Sequence, residues 1–193
     1  MLRDVQRILI DRSRIARRVE QLGAQIAQDI RADLERHGHL DDNGDAAPDR
    51  VILIPILTGS IVFVADLIRH MPMKLSLELV AVSSYPGKSM ESKGVSLRSD
   101  IPQTLAGKHV LVIDDILDSG QTLLSVKRLV QEQNPASCRL CALLEKTGKK
   151  RVDVNADYVG FQIPDEFVVG YGLDYDGYYR NLPEIAVLRP EAV

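Results

Sequence analysis

Between residues 12 and 36 the apolar side chains Ile15, Val19, Leu22, Ile26, Ile30 and Leu34 recur every three or four positions. This spacing gathers them on one face of a helix of about five to seven turns, with polar residues around the rest. Asp11 stands where an N-cap carboxylate accepts from free backbone N–H groups. The segment HGHLDDNGDAAPDR that follows is rich in Gly and Asp, contains a Pro, and reads as a surface loop.

Beyond it the pattern changes to short apolar runs separated by helical or turn-forming pieces. RVILIPIL, KLSLELVAVSSY with its alternating Leu75, Leu77 and Leu79, HVLVID and CRLCALLE read as strands, and SIVFVADLIRHM and TLLSVKRLVQEQ as helices. Strands alternating with helices imply an α/β fold, a mostly parallel twisted sheet flanked by helices on both faces. The C-terminal third offers YVGF, FVVGYGL and IAVL without a long helix, which suggests a small β-rich hood. The expected organisation is one domain over 1–193, with a core over about 12–160 and a hood from 1–11 and about 161–193.

The 193 residues suffice for one globular domain. With 24 Lys and Arg against 27 Asp and Glu, the formal net charge of −3 argues against a nucleic-acid-coating protein. Apolar runs such as Val51–Leu57 are far shorter than the roughly 18–20 residues of a spanning helix, so no membrane association is expected. The N-terminal MLRDVQRILIDRSR lacks a signal-peptide pattern, and the expected location is cytoplasmic. Cys138 and Cys141 have C-x-x-C spacing but lack a second ligand pair, and residues three apart on a strand face opposite ways. They read as free, buried or half-buried thiols in a reducing compartment.

The chemistry concentrates in VLVIDDILDSGQTL, residues 110–123. A buried strand ends in the carboxylates Asp114 and Asp115, and the loop Asp118, Ser119, Gly120, Gln121 and Thr122 opens a helix. Successive backbone N–H groups, a turn-permitting Gly, two hydroxyls and a helix N-terminus are the parts of a phosphate cradle. Its place at the carboxyl end of a strand is where open α/β sheets bind ligands. No Walker loop occurs, so triphosphate hydrolysis is disfavoured. Two carboxylates beside a phosphate would repel it unless they bind sugar hydroxyls or a divalent cation, which points to a phosphorylated sugar.

This segment resembles the phosphoribosyl-pyrophosphate motif of type I phosphoribosyltransferases. ILTGS, SSYPG, LLEKT and IPDEFVVGYGLDYDGYYRNL, in that order, resemble the hypoxanthine-guanine members over nearly the whole chain. The resemblance implies Mg²⁺-dependent transfer of 5-phosphoribose from phosphoribosyl pyrophosphate to a 6-oxopurine base, hypoxanthine or guanine, giving IMP or GMP and pyrophosphate in purine salvage. It also implies a homo-oligomer, dimer or tetramer.

Residue by residue, it matches Asp118 to a general base or proton relay at purine N7, and residues 118–122 to the 5′-phosphate loop. Asp114 and Asp115 match the pair facing the ribose hydroxyls and the metal, although the family more often has Glu first. Lys146 matches the donor to the 6-oxo oxygen, which separates 6-oxopurines from adenine. Phe167 matches the stacking aromatic and Val168 the backbone at the base edge. Asp174 matches the residue that meets the metal through water, and Arg180 the pyrophosphate arginine.

Leu57, Thr58 and Gly59 match a pyrophosphate loop that carries a non-proline cis peptide, with Thr58 standing where many relatives have Lys or Arg. Ser84 and Tyr85 begin a segment resembling a closing loop. The competing reading is a nucleotide-responsive regulator on the same fold that binds nucleic acid without turnover, supported by the basic run KTGKKR. A receiver-like signalling domain is disfavoured, because its acidic pair belongs on the first strand.

Overall fold

The amphipathic stretch forms α1 (Arg12–His37), and the computed structural model describes residues 2–83, 96–97, 104–148 and 151–192 of the chain. Asp11 caps α1 by accepting from the N–H groups of Ser13 and Arg14 at 3.0 and 2.9 Å. Gly38, in the left-handed region at φ +66°, ends it. All six periodic apolar side chains are buried.

The strands are β1 (Val5–Ile10), β2 (Val51–Leu57), β3 (Ser76–Leu77), β4 (Val80–Ser83), β5 (Ser96–Leu97), β6 (His109–Leu117), β7 (Ser137–Lys146), β8 (Tyr158–Ile163), β9 (Val168–Val169) and β10 (Ile185–Leu188). Two further helices are α2 (Ile61–Leu67), extended by a 3-10 turn, and α3 (Gln121–Gln131). The main sheet runs β5-β4-β2-β6-β7-β8, with β3 also pairing β2. Its strands are parallel apart from β5, which lies antiparallel to β4.

Period-two alternation divides the core. Leu53, Leu111, Ile113, Cys141 and Leu143 face α1 and α2, whereas Ile52, Ile54, Val110, Val112, Leu140 and Ala142 face α3. Cys141 and Cys138 pack on opposite faces and both thiols are free. The stretch expected as one strand over KLSLELVAVSSY is two short ones, β3 and β4, both pairing with β2.

The expectation that YVGF belongs to the hood is corrected, because β8 pairs in parallel with β7 at the edge of the main sheet. α1 holds it there. Arg18 donates to the carbonyls of Val159 and Gly160 at 2.7 and 2.9 Å, and Tyr158 Oη donates to Asp29 at 2.9 Å. A separate antiparallel sheet, β1-β10-β9, joins the two ends of the chain. Among the described residues no helix is long and apolar enough to cross a membrane.

Candidate active site

Because β2, β6 and β7 are parallel and in register, their carboxyl ends meet at one edge. Pro55 pairs with Ile113, and Leu117 with Glu145. Residues at or just past those ends therefore converge: Leu57 to Gly59 from β2, Asp114 to Asp118 from β6, and Lys146 from β7. The segment around β9 supplies the opposite wall. Asp115, Ile116, Asp118, Lys146, Phe167, Val168, Leu173 and Asp174 line a cavity of about 220 Å³. Two roomier hollows, of about 350 and 470 Å³, also touch Arg180, but neither is lined by Lys146 or the β6 aspartates.

Asp114 is buried and Asp115 half-buried. Burial, and then the charge of Asp115, hold the Asp114 carboxyl well above the ordinary carboxylate range. Burial raises Asp115 as well, opposed by hydrogen bonds from Asp114 and the Ile116 N–H and by the charge of Arg180. Crowded carboxylates of this kind suit hydroxyl donors or a hard divalent cation, either of which relieves the repulsion. Among the described residues no three His, Cys, Asp or Glu side chains form a metal cage by themselves.

The loop into α3 turns at Gly120, whose φ is +82° and which is the N-cap residue. It has no side chain to cap the helix, so the first N–H groups of α3 remain open to an anion. Gln121 N–H makes a long contact of 3.4 Å with Ser119 Oγ. Arg151 N–H donates to the Ser119 carbonyl at 3.0 Å and braces the loop from behind.

The peptide between Leu57 and Thr58 is cis. Ser60, fully buried, donates its hydroxyl to the Ile56 carbonyl at 2.5 Å and anchors the turn, while Thr58 is exposed. Gly59 lies between Asp115 and the backbone of Gly172. A Cβ on Gly172, at φ +102°, would stand 2.1 Å from the Gly59 carbonyl oxygen.

Arg180 donates to the Gly172 carbonyl at 2.6 Å and pairs with Asp174 at 2.8 Å. Asp174 also accepts from the Gly177 N–H at 2.8 Å, so both its oxygens are engaged in orienting the turn and the guanidinium. Phe167 is half exposed and meets Tyr175 edge-on at 5.5 Å, whereas Val168 is buried and pairs with Val187. An aromatic face left in an open cavity suits a planar ligand.

Lys146 is buried, and its ammonium lies 3.4 Å from Asp118 and 3.3 Å from Asp165. Ser84 and Tyr85 lie outside the described residues. Sequence reasoning missed Asp165, Gly172 and the Tyr171–Asp66 hydrogen bond of 2.7 Å that ties the β9 segment to α2. The one local signal for Asp165 is its place two residues before Phe167.

The Phosphoribosyl transferase domain family matches residues 14–176, and the chain belongs to that family. Within it, the chain is 38% identical over 188 residues to the hypoxanthine-guanine phosphoribosyltransferase of Streptococcus pneumoniae, covering 97% of this chain and 96% of that one. The Bacillus subtilis enzyme of the same name is 36% identical over 190 residues, with 98% and 97% covered. Among solved structures, a Staphylococcus aureus hypoxanthine phosphoribosyltransferase superposes with a TM-score of 0.84 at 37% identity, covering 99% and 95%. A Trypanosoma cruzi hypoxanthine phosphoribosyltransferase mutant complexed with the product IMP gives 0.83 at 35%, covering 97% and 93%.

Proposed function

We infer that this protein is a purine-salvage enzyme that transfers 5-phosphoribose from phosphoribosyl pyrophosphate to hypoxanthine or guanine, releasing pyrophosphate. The observation that carries this reading is that Lys146, Asp118 and the open aromatic face of Phe167 line one cavity together. The N–H groups of residues 119–122 hold the 5′-phosphate, and Asp114 and Asp115 accept from the ribose hydroxyls. The N–H groups of the Leu57 to Gly59 turn and the Arg180 guanidinium hold pyrophosphate. Phe167 stacks on the purine, the Val168 backbone meets its edge, and Lys146 donates to the 6-oxo oxygen.

The nucleophile is a ring nitrogen, which must lose a proton from the purine as it bonds to C1 of the sugar. Asp118 takes or relays that proton at N7 while the base is held in line with the departing pyrophosphate. An amino group at position 6 offers Lys146 a donor instead of an acceptor, so adenine is disfavoured.

The carboxylates of Asp114 and Asp115 are the hard oxygen donors that suit Mg²⁺, and Asp174, whose oxygens already hold Arg180 and the Gly177 N–H, would meet it through water. When bound, it supplies charge neutralisation for the leaving pyrophosphate. With Thr58 adding no charge in that loop, this protein depends on the cation and Arg180 there.

The one-domain reading, with the β1-β10-β9 sheet as a hood beside the site, accords with Val168 belonging to both. A cytoplasmic location suits the two free thiols, both pushed upward by burial, Cys138 to about 11. Homo-oligomerisation is supported by exposed Ile61, Leu77 and Leu79 around a wholly apolar hollow of about 190 Å³. A C-terminal region bears on the oligomeric state of a Trypanosoma cruzi relative. The nucleic-acid-binding alternative loses support because Lys146, first of the basic run, is buried between Asp118 and Asp165.

Chromatographic detection of IMP from hypoxanthine, phosphoribosyl pyrophosphate and Mg²⁺, abolished by a chelator, tests the reading. No nucleotide product under those conditions would overturn it.

A further inference from the structure

Among the described residues Lys146 pairs with the carboxylates of Asp118 and Asp165, and only Asp118 has a task in the reaction proposed above. Asp165 comes from a different part of the chain. Lys146 pairs in register with Ile163 at the ends of β7 and β8, so the turn leaving β8 brings Asp165 to the ammonium at 3.3 Å. That turn is pinned. Thr147 N–H donates to the Ile163 carbonyl at 3.0 Å, and Glu166 N–H donates to the Pro164 carbonyl at 2.8 Å. The Glu166 carboxylate pairs with Arg7 of β1, and Val168 pairs with Val187 of β10. Asp165 thus sits on a braced segment, two residues before the exposed ring of Phe167.

A buried ammonium is costly without a counter-charge. If Asp118 were its only partner, Lys146 would lose that charge each time Asp118 accepted a proton, and would otherwise be drawn towards Asp118 and away from the base. A second carboxylate with no part in proton transfer removes the conflict. The ammonium has three N–H donors, so two carboxylates still leave one for the cavity.

We propose that Asp165 is a positioning residue that holds the Lys146 ammonium on the 6-oxo group of the base independently of the protonation state of Asp118. This rests on the purine-binding reading given above. The contact couples two arms of base recognition, since the segment that aims Lys146 also carries Phe167.

The test is steady-state kinetics of Asp165→Asn and Asp165→Glu beside the wild type, with thermal melts of all three. For Asp165→Asn, KM for hypoxanthine rises about tenfold while KM for phosphoribosyl pyrophosphate stays within about twofold. Inhibition by unsubstituted purine, which has no 6-oxo group, changes less than about threefold, and Asp165→Glu recovers most of the loss. Unchanged hypoxanthine KM in Asp165→Asn overturns the proposal. So does an equal rise for hypoxanthine, purine and phosphoribosyl pyrophosphate, or a failure of Asp165→Glu to recover anything. If Asp165→Asn does not fold, Asp165→Glu decides, with hypoxanthine KM nearer the wild type for a folded protein expected and a general loss of affinity contradicting. Absence of 6-oxopurine transfer by the wild type sinks the functional reading and this one together, whereas an active wild type with indifferent variants sinks this one alone.

Discussion

A Cβ placed on Gly59 would stand 1.6 Å from Oδ2 of Asp115 and 2.5 Å from its Cγ. The carboxylate from β6 is therefore seated directly against the turn that follows β2, and the absence of a side chain at residue 59 is what lets two parallel strands build one site. The atom met is the tip of a side chain, which rotates away more easily than backbone does. Gly59→Ala is expected to leave the fold intact, displace Asp115, and lower kcat/KM by about 100-fold or more, on the order of 3 kcal/mol of transition-state stabilisation. Gly172→Ala meets backbone instead, 2.1 Å from the Gly59 carbonyl oxygen at a φ of +102°, and is expected to lower thermal stability as well as activity. Melting curves beside kinetics for the two variants check the contrast.

Phe167 separates a core residue from a ligand-stacking one. Its ring is 50% exposed, so truncation removes little buried surface. Phe167→Ala is expected to change stability by less than about 1 kcal/mol. The same substitution should raise KM for hypoxanthine on the order of tenfold through lost stacking, with KM for phosphoribosyl pyrophosphate little changed. Large destabilisation with unchanged base affinity would assign the ring to packing.

Acid sensitivity is expected from a cluster remote from the site. His109, buried at the start of β6, shares a hydrogen bond of 3.0 Å with His39 and another of 2.9 Å with Ser137. His37, Asp33, Arg139 and Arg50 complete the charged surroundings. Burial pushes His109 down from 6.5 to about 4 and lowers His39 too. The folded protein thus keeps His109 neutral at pH values where the unfolded chain is protonated. Stability is fully present above about pH 6.5 and is lost progressively as pH falls towards 4, by at most about 3 kcal/mol. Urea midpoints at pH 7.5 and 4.5 should show that loss, and His109→Gln should reduce it.

Much of this arrangement is legible in the chain because short-range rules govern it. α1 was readable from six side chains on one face, and the carboxyl end of β6 from an acidic pair running into a Gly turn and a helix. What pattern cannot carry is pairing at long range. YVGF reads as a hood strand, since the sequence between CRLCALLE and YVGF shows none of the helical pattern that usually links parallel neighbours. Its place in the main sheet depends on Arg18 and Asp29 of α1. Asp165 is silent for the same reason, since its partner lies on the neighbouring strand and only parallel register brings the two together. The roles proposed for Lys146, Phe167, Asp174 and Arg180 come from family resemblance alone. Residue type and spacing left each of them a plain surface or core reading.

The most direct measurement is a spectrophotometric assay with phosphoribosyl pyrophosphate, Mg²⁺ and each of hypoxanthine, guanine, xanthine and adenine, for the wild type and Asp118→Asn. The expected result is turnover of hypoxanthine or guanine, none of adenine, dependence on Mg²⁺, and a fall in kcat of about 10²–10⁴ in the variant. Turnover of adenine in preference to 6-oxopurines, or an Asp118→Asn enzyme as fast as the wild type, would contradict the account.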